Sequence, residues 1–176
     1  VPDLAESFTV SPDNLVYDFR LRSGLYWHDG MPVTAADVVY TVRMMQDPAF
    51  PGVTWLAALW RAVEVSAPEG EEGLAVRFTL KEPYAPFLDY TTIGLLPAHL
   101  WSRVPVGEMM ASQLNTRPVG TGPFLLTAIS ATHAELAANT TYHGQQPYLQ
   151  GIAIRFYPDH QSLLPAYDRG EIDAVS

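Results

Sequence analysis

The 176-residue sequence has no cysteine, which excludes disulfide bonds and thiolate metal sites outright. Charge is scarce: Asp, Glu, Lys and Arg make up 16% of the chain, against roughly 25% in an average soluble domain. Lys81 is the single lysine, and the formal net charge is -9. A nucleic-acid-binding face needs clustered basic side chains that displace counterions, so this balance excludes that class. Apolar runs are short too, and none approaches the roughly 18 residues that cross a bilayer. What the chain does have is an apolar fraction of 48%. That content at this length fits one folded domain, or one with part of another, and not a disordered chain.

Both ends read as interior cuts. Residue 1 is a valine in Val1-Pro2-Asp3, with no initiator methionine and no basic-then-apolar leader. Glu171–Ser176 reads as a strand just beginning. The expectation is a fragment.

Tyr17–Arg22 alternates apolar and charged residues, the period of a half-buried strand. The turn His28-Asp29-Gly30 follows, and Thr34-Ala35-Ala36-Asp37 then has the form of a helix start. There a threonine hydroxyl serves an orphan amide, and a carboxylate faces the positive end of the helix dipole. Val38, Val42 and Met45 make one apolar stripe, and Asp47-Pro48 ends the helix. Thr54–Trp60 forms two further helical turns. Ala62–Ala67 and Leu74–Leu80 alternate as a hairpin around the acidic, solvated loop Glu69–Glu72. Proline-bounded short helices are expected at Phe87–Thr92, Pro97–Trp101 and Val106–Leu114.

The character changes at Arg117–Phe124, and we place a domain boundary near Arg117–Gly120. Phe124–Ser130 and His133–Ala138 read as a second hairpin, and Ile152–Tyr157 as a strand after a polar loop. Asp159 caps a helix through Tyr167 that Gly170 closes, with Pro165 placed to kink it or delay its start. Ile172–Val175 then reads as a strand parallel to Ile152–Tyr157.

Signals for chemistry are sparse. None of the five histidines lies three or four residues from another, so no helical metal-ligand pair forms. His28-Asp29 is better read as a turn stabilised by Asp29 than as a metal site. No Gly-x-Ser-x-Gly elbow surrounds a serine. Gly120-Thr121-Gly122 invites a phosphate-loop reading, but Pro123 removes a donor and no lysine is near. These glycines instead let backbone pass closely between domains or beside a ligand. Asn139-Thr140-Thr141 matches a glycosylation sequon, a triplet common by chance. Trp60, Phe78 and Phe124 read as core. For Trp55, at a helix start after a Pro/Gly loop, core and cleft readings both stand.

Several stretches together carry a resemblance. They are Pro2–Ser7, Asp13–Gly24 and Trp27-His28-Asp29-Gly30-Met31-Pro32-Val33-Thr34-Ala35-Ala36-Asp37-Val38. Pro118–Phe124, Asn139–Pro147 and Gly170-Glu171-Ile172-Asp173 follow in order. This pattern resembles family 5 extracellular solute-binding proteins, the peptide- and nickel-binding components of ABC importers. The resemblance implies an α/β fragment of the type II periplasmic-binding-protein kind, an α+β small subdomain plus part of a mixed α/β lobe. Residues 1–118 would form the small subdomain of the first lobe, and 119–176 the start of its main sheet. The second lobe and the C-terminal return would lie outside the chain.

The same resemblance implies a receptor for a small solute, a peptide first and a sugar second, which hands its cargo to an ABC permease. Such a receptor is no enzyme, needs no cofactor and no metal, and is monomeric. It is periplasmic or extracellular, meeting the membrane only through the permease or an anchor outside this chain. Ligand contacts would come from Thr54 and Trp55, from Thr92, Ile93 and Gly94, and from Gly120, Thr121 and Gly122. A nickel-complex binder of the family carries arginines in the first two of these segments; the positions here are uncharged, which disfavours nickel chelates. A ligand-sensing module of a signalling protein and a hydrolase with a dispersed Ser/His/carboxylate triad are the competing readings.

Overall fold

The computed structural model describes residues 3–69 and 73–175. Among them, seven strands form two antiparallel sheets. The first contains β1 (Ala5–Val10), β2 (Val16–Leu21), β3 (Val63–Ser66) and β4 (Ala75–Leu80), in the order β1-β2-β4-β3. The alternation in β2 buries Tyr17 and Leu21 and turns Asp18 and Arg20 outward, where Asp18 takes two hydrogen bonds from Arg77 on β4. Nothing in the sequence marks β1 as a strand. It is an edge strand with five of its six residues exposed and an irregular register between Ala5 and Ser7, so no in–out alternation develops. Most of the expected acidic loop at Glu69–Glu72 lies outside the described residues.

The helices α1 (Ala35–Gln46) and α2 (Thr54–Arg61) cover the inner face of this sheet, followed by the short α3 (Phe87–Tyr90) and α4 (Ala98–Trp101). Val38, Val42 and Met45 are buried along the stripe read from the sequence. Each such side chain contributes about 1.5–3 kcal/mol over an exposed one. The helix expected at Val106–Leu114 is instead two 3-10 turns, Val106–Ala111 and Gln113–Asn115. Ser112 at ψ 139° breaks the run between them. At the centre, the fully buried Trp60 packs its ring against Phe78 and Phe87 at centroid distances of 5.7 and 5.9 Å. Phe124, expected in a core, is only half-buried.

The second sheet holds β5 (Phe124–Ile129), β6 (His133–Ala138) and β7 (Gly151–Arg155) in sequence order. Asp159 caps α5 (His160–Asp168) by accepting from the Ser162 amide, and Gly170 closes it at φ +69°. Pro165 sits inside α5, where it deletes one amide donor. The expected parallel strand at Ile172–Val175 does not form: that segment is irregular and has no ladder partner among the described residues. A strand exists only through the ladder that satisfies its amides and carbonyls, and apolar pattern alone does not supply one.

One buried group fastens α1 to its surroundings. Asp37 is 5% exposed. Its Oδ2 accepts from the Thr34 amide at 2.9 Å and from Trp27 Nε1 at 3.4 Å, while Oδ1 accepts from the Ala98 amide at 2.9 Å. One turn later the buried Thr41 hydroxyl donates to the Asp37 carbonyl and accepts from the Leu96 amide at 3.0 Å. Asp37→Ala would leave several inward-facing donors unpaired. We expect a loss of about 3 kcal/mol or more, since each orphaned buried donor costs roughly 1–3 kcal/mol. Urea unfolding checks this; a loss under about 1 kcal/mol would contradict the assignment.

Candidate functional site

The end of α1 determines where α2 points. Gln46 donates both hydrogens of its carboxamide, to the Trp60 and Val63 carbonyls, at 2.9 and 2.7 Å. Arg61 reaches back to the carbonyls of Gln46 and Asp47. With Trp60 turned into the core, Trp55 lies five residues earlier and about 140° around the helix. It is 60% exposed, which decides against the core reading. Its ring meets Tyr90 edge-on at 5.7 Å, and Tyr84 stacks on Tyr90 at 5.9 Å. Thr54 is exposed beside it.

The segment after α3 is pinned from α1. The Leu96 and Ala98 amides that bind Thr41 and Asp37 hold its far end, and the Thr91 and Thr92 hydroxyls donate to the Leu88 and Asp89 carbonyls at its near end. Thr92 and Ile93 line an apolar groove of about 570 Å³, walled by Phe8, Phe19, Phe78 and Leu88. Gly94 is exposed.

The Gly120–Gly122 turn lies against His28. The His28 amide donates to the Gly120 carbonyl, and the imidazole touches both glycines. Asn139 donates to the Gly122 carbonyl at 2.9 Å. Being 3% exposed and engaged at both ends of its amide, Asn139 is not accessible as a glycosylation acceptor in the folded chain. A Cβ at Gly122 would meet nothing within 4 Å, and one at Gly120 would make only an ordinary contact with His28. The chain's own packing therefore does not demand glycine at either position.

The predicted residues form three patches. Thr92 and Ile93 share the groove; Trp55 and the glycine turn do not line it. Sequence reasoning missed Tyr84, Tyr90 and the role of His28. Tyr84 precedes α3 and Tyr90 is its last residue, and nothing in the local sequence displays the stacking of their rings. His28 contacts residues 92 and 94 positions away, a pairing that no local pattern displays.

Groups capable of chemistry are few. Ser130 Oγ lies 2.9 Å from His133 Nδ1 in the exposed β5–β6 turn, but no carboxylate among the described residues orients that ring. No group of three or more His, Asp or Glu side chains among the described residues is arranged to hold a metal ion. Among the described residues, no helix is long and apolar enough to cross a membrane.

Asp29 buttresses the turn that carries His28. Partial burial opposes its ionisation, but a hydrogen bond from His99 at 2.7 Å and one from the Met31 amide hold its carboxyl below the usual aspartate range. A depressed carboxyl stabilises the fold fully above its unfolded-state value and loses that contribution as pH falls through the folded value. Asp29→Asn should therefore flatten the fall in Tm on the acid side of about pH 4, read by thermal melts across pH. An unchanged acid limb would contradict the assignment.

Comparison with known proteins places this geometry. The model of the bacterial extracellular solute-binding proteins, family 5 middle region, matches residues 1–176. The chain belongs to that family. A Brucella ovis protein provisionally named an ABC transporter peptide-binding protein is 33% identical over 98% of this chain and 32% of its own length. Di/tripeptide-binding protein 2 of Pseudomonas aeruginosa is 31% identical, over 97% of this chain and 35% of its own. The crystal structure of NikZ from Campylobacter jejuni in complex with Ni(L-His) superposes with a TM-score of 0.84 at 30% identity, covering 98% of this chain and 34% of that one. The α/β architecture is thus that of the type II periplasmic binding proteins. The chain spans about a third of the length of the relatives it matches.

Proposed function

We propose that this chain supplies one wall of the solute cleft of an extracytoplasmic receptor that delivers peptides or similar solutes to an ABC importer. In this reading residues 1–118 are the small subdomain of the first lobe and 119–176 begin its main sheet. The opposing lobe lies in the rest of the protein, and the receptor works as a monomer. It meets the membrane only through the permease or an anchor outside this segment. The solute passes through unchanged, so binding and not catalysis is the activity.

The observation that carries the reading is an aromatic patch, the exposed Trp55 and Tyr84 packed on the half-buried Tyr90, beside the uncharged segment Thr91–Gly94. Binding clefts are mostly apolar and aromatic with a few placed polar groups, and loops held by a rigid scaffold carry them. Names of relatives support peptides: one of them is a di/tripeptide-binding protein. The lack of cationic side chains at Thr54, Trp55 and Thr92–Gly94 supports an uncharged or zwitterionic solute over an anionic metal chelate.

Calorimetry of the full-length protein against di- and tripeptides tests this. Trp55→Ala should weaken the tightest of them by about 2 kcal/mol, the scale of an aromatic anchor. The isolated 176 residues should bind the same peptide weakly or not at all, with half of the burying surface gone. Unchanged affinity in the Trp55 variant, or tight binding by the isolated segment, would overturn the reading.

A further inference from the structure

His28 and the glycine turn exchange hydrogen bonds on several sides. The His28 amide donates to the Gly120 carbonyl at 2.9 Å, and the Gly120 amide donates to His28 Nδ1 at 3.2 Å. His28 Nε2 lies 3.0 Å from the Gly122 carbonyl oxygen. An Nδ1 that accepts carries no proton, so the ring hydrogen resides on Nε2 and is donated to Gly122. The neutral Nε2–H tautomer alone satisfies both contacts; the other tautomer and the imidazolium would set a hydrogen against the Gly120 amide.

Asn139 at the end of β6 donates to the same Gly122 carbonyl at 2.9 Å, and its Oδ1 is occupied by the Thr141 amide and hydroxyl. Gly122 is thus held from both sheets: by His28 after β2, and by Asn139 after β6. By contrast, the amides of Thr121 and Gly122 and the Thr121 hydroxyl have no hydrogen-bond partner among the described residues. In this half-buried turn the Gly120 amide and the Gly120 and Gly122 carbonyls are engaged, which leaves the Thr121 and Gly122 amides as the donors available to a ligand.

We propose that His28 is a positioning residue of the solute site. Held in its Nε2–H tautomer, it fixes the Gly120–Thr121–Gly122 turn so that the Thr121 and Gly122 amides face a carbonyl or carboxylate of the solute. This rests on the reading of the turn as part of the cleft. Backbone amides suit such a task because they bind peptide oxygens of any sequence and add no side chain of their own.

The test uses the full-length protein. Multiple-bond nitrogen–proton NMR of the histidine rings should report an unprotonated Nδ1 at His28, and the Gly120 amide should exchange slowly with solvent in the absence of solute. A protonated Nδ1, or a Gly120 amide that exchanges as freely as an exposed loop, overturns the positioning role whatever the protein binds. Trialanine and its C-terminal amide then probe the site. His28→Phe, which keeps the ring volume and loses both contacts, should weaken trialanine roughly tenfold, the scale of one or two lost hydrogen bonds. His28→Asn, which keeps an acceptor for the Gly120 amide, should recover part of that loss and restore the slow exchange at Gly120. Equal affinity in wild type and His28→Phe, with Trp55→Ala weakened, overturns the proposal and leaves the cleft reading standing. If neither trialanine nor its amide binds the wild type, or if Trp55→Ala binds them as well as wild type does, the cleft reading fails, and the part of the proposal that concerns solute falls with it.

Discussion

The buried carboxylate of Asp37 is the constraint on which the rest of this structure depends. It closes the start of α1, receives the indole of Trp27, and reaches across to the amide that begins α4. A carboxyl group at 5% exposure is costly unless its acceptor capacity is filled, and here both oxygens are used. Thr41, one helical turn on, repeats the device with the Leu96 amide. Two side chains on one face of α1 thereby fix the backbone that leads out of Thr91–Gly94. The residues that read as a helix start in the sequence act, in the fold, as the anchor of a loop some sixty positions away.

From that anchor the candidate site follows by packing. The far end of α1 orients α2 through Gln46 and Arg61, and burial of Trp60 leaves Trp55 facing out. The near end leads back through Trp27 to His28, which grips the glycine turn of the second sheet. Each surface that we propose meets solute is thus held by hydrogen bonds or packing to the elements behind it. That suits the proposed receptor, because binding energy spent on ordering loops is lost to affinity.

Much of this was legible in the sequence where the signal is local. The stripe Val38, Val42, Met45, the alternation of β2, the hairpin of β3 and β4, and the cap at Asp159 all depend on residues within a few positions of one another. Features set by distant partners were not legible. β1 is a strand because β2 pairs with it, not because of its own pattern, and Ile172–Val175 has the pattern without the partner. For the site, the exposure of Trp55 was undecidable from spacing alone, and Tyr84 and Tyr90 gained meaning only once their rings were seen to stack. The sequence drew attention to the glycines of residues 120–122, but the histidine that holds them could be found only in three dimensions.

The most direct measurement is a structure of the full-length protein with its solute bound. The account predicts solute atoms within about 4 Å of Trp55, of the Thr92–Gly94 segment and of the Thr121–Gly122 amides, with a second lobe closing from the opposite side. A solute held wholly by the rest of the protein, touching none of these three segments, would contradict it.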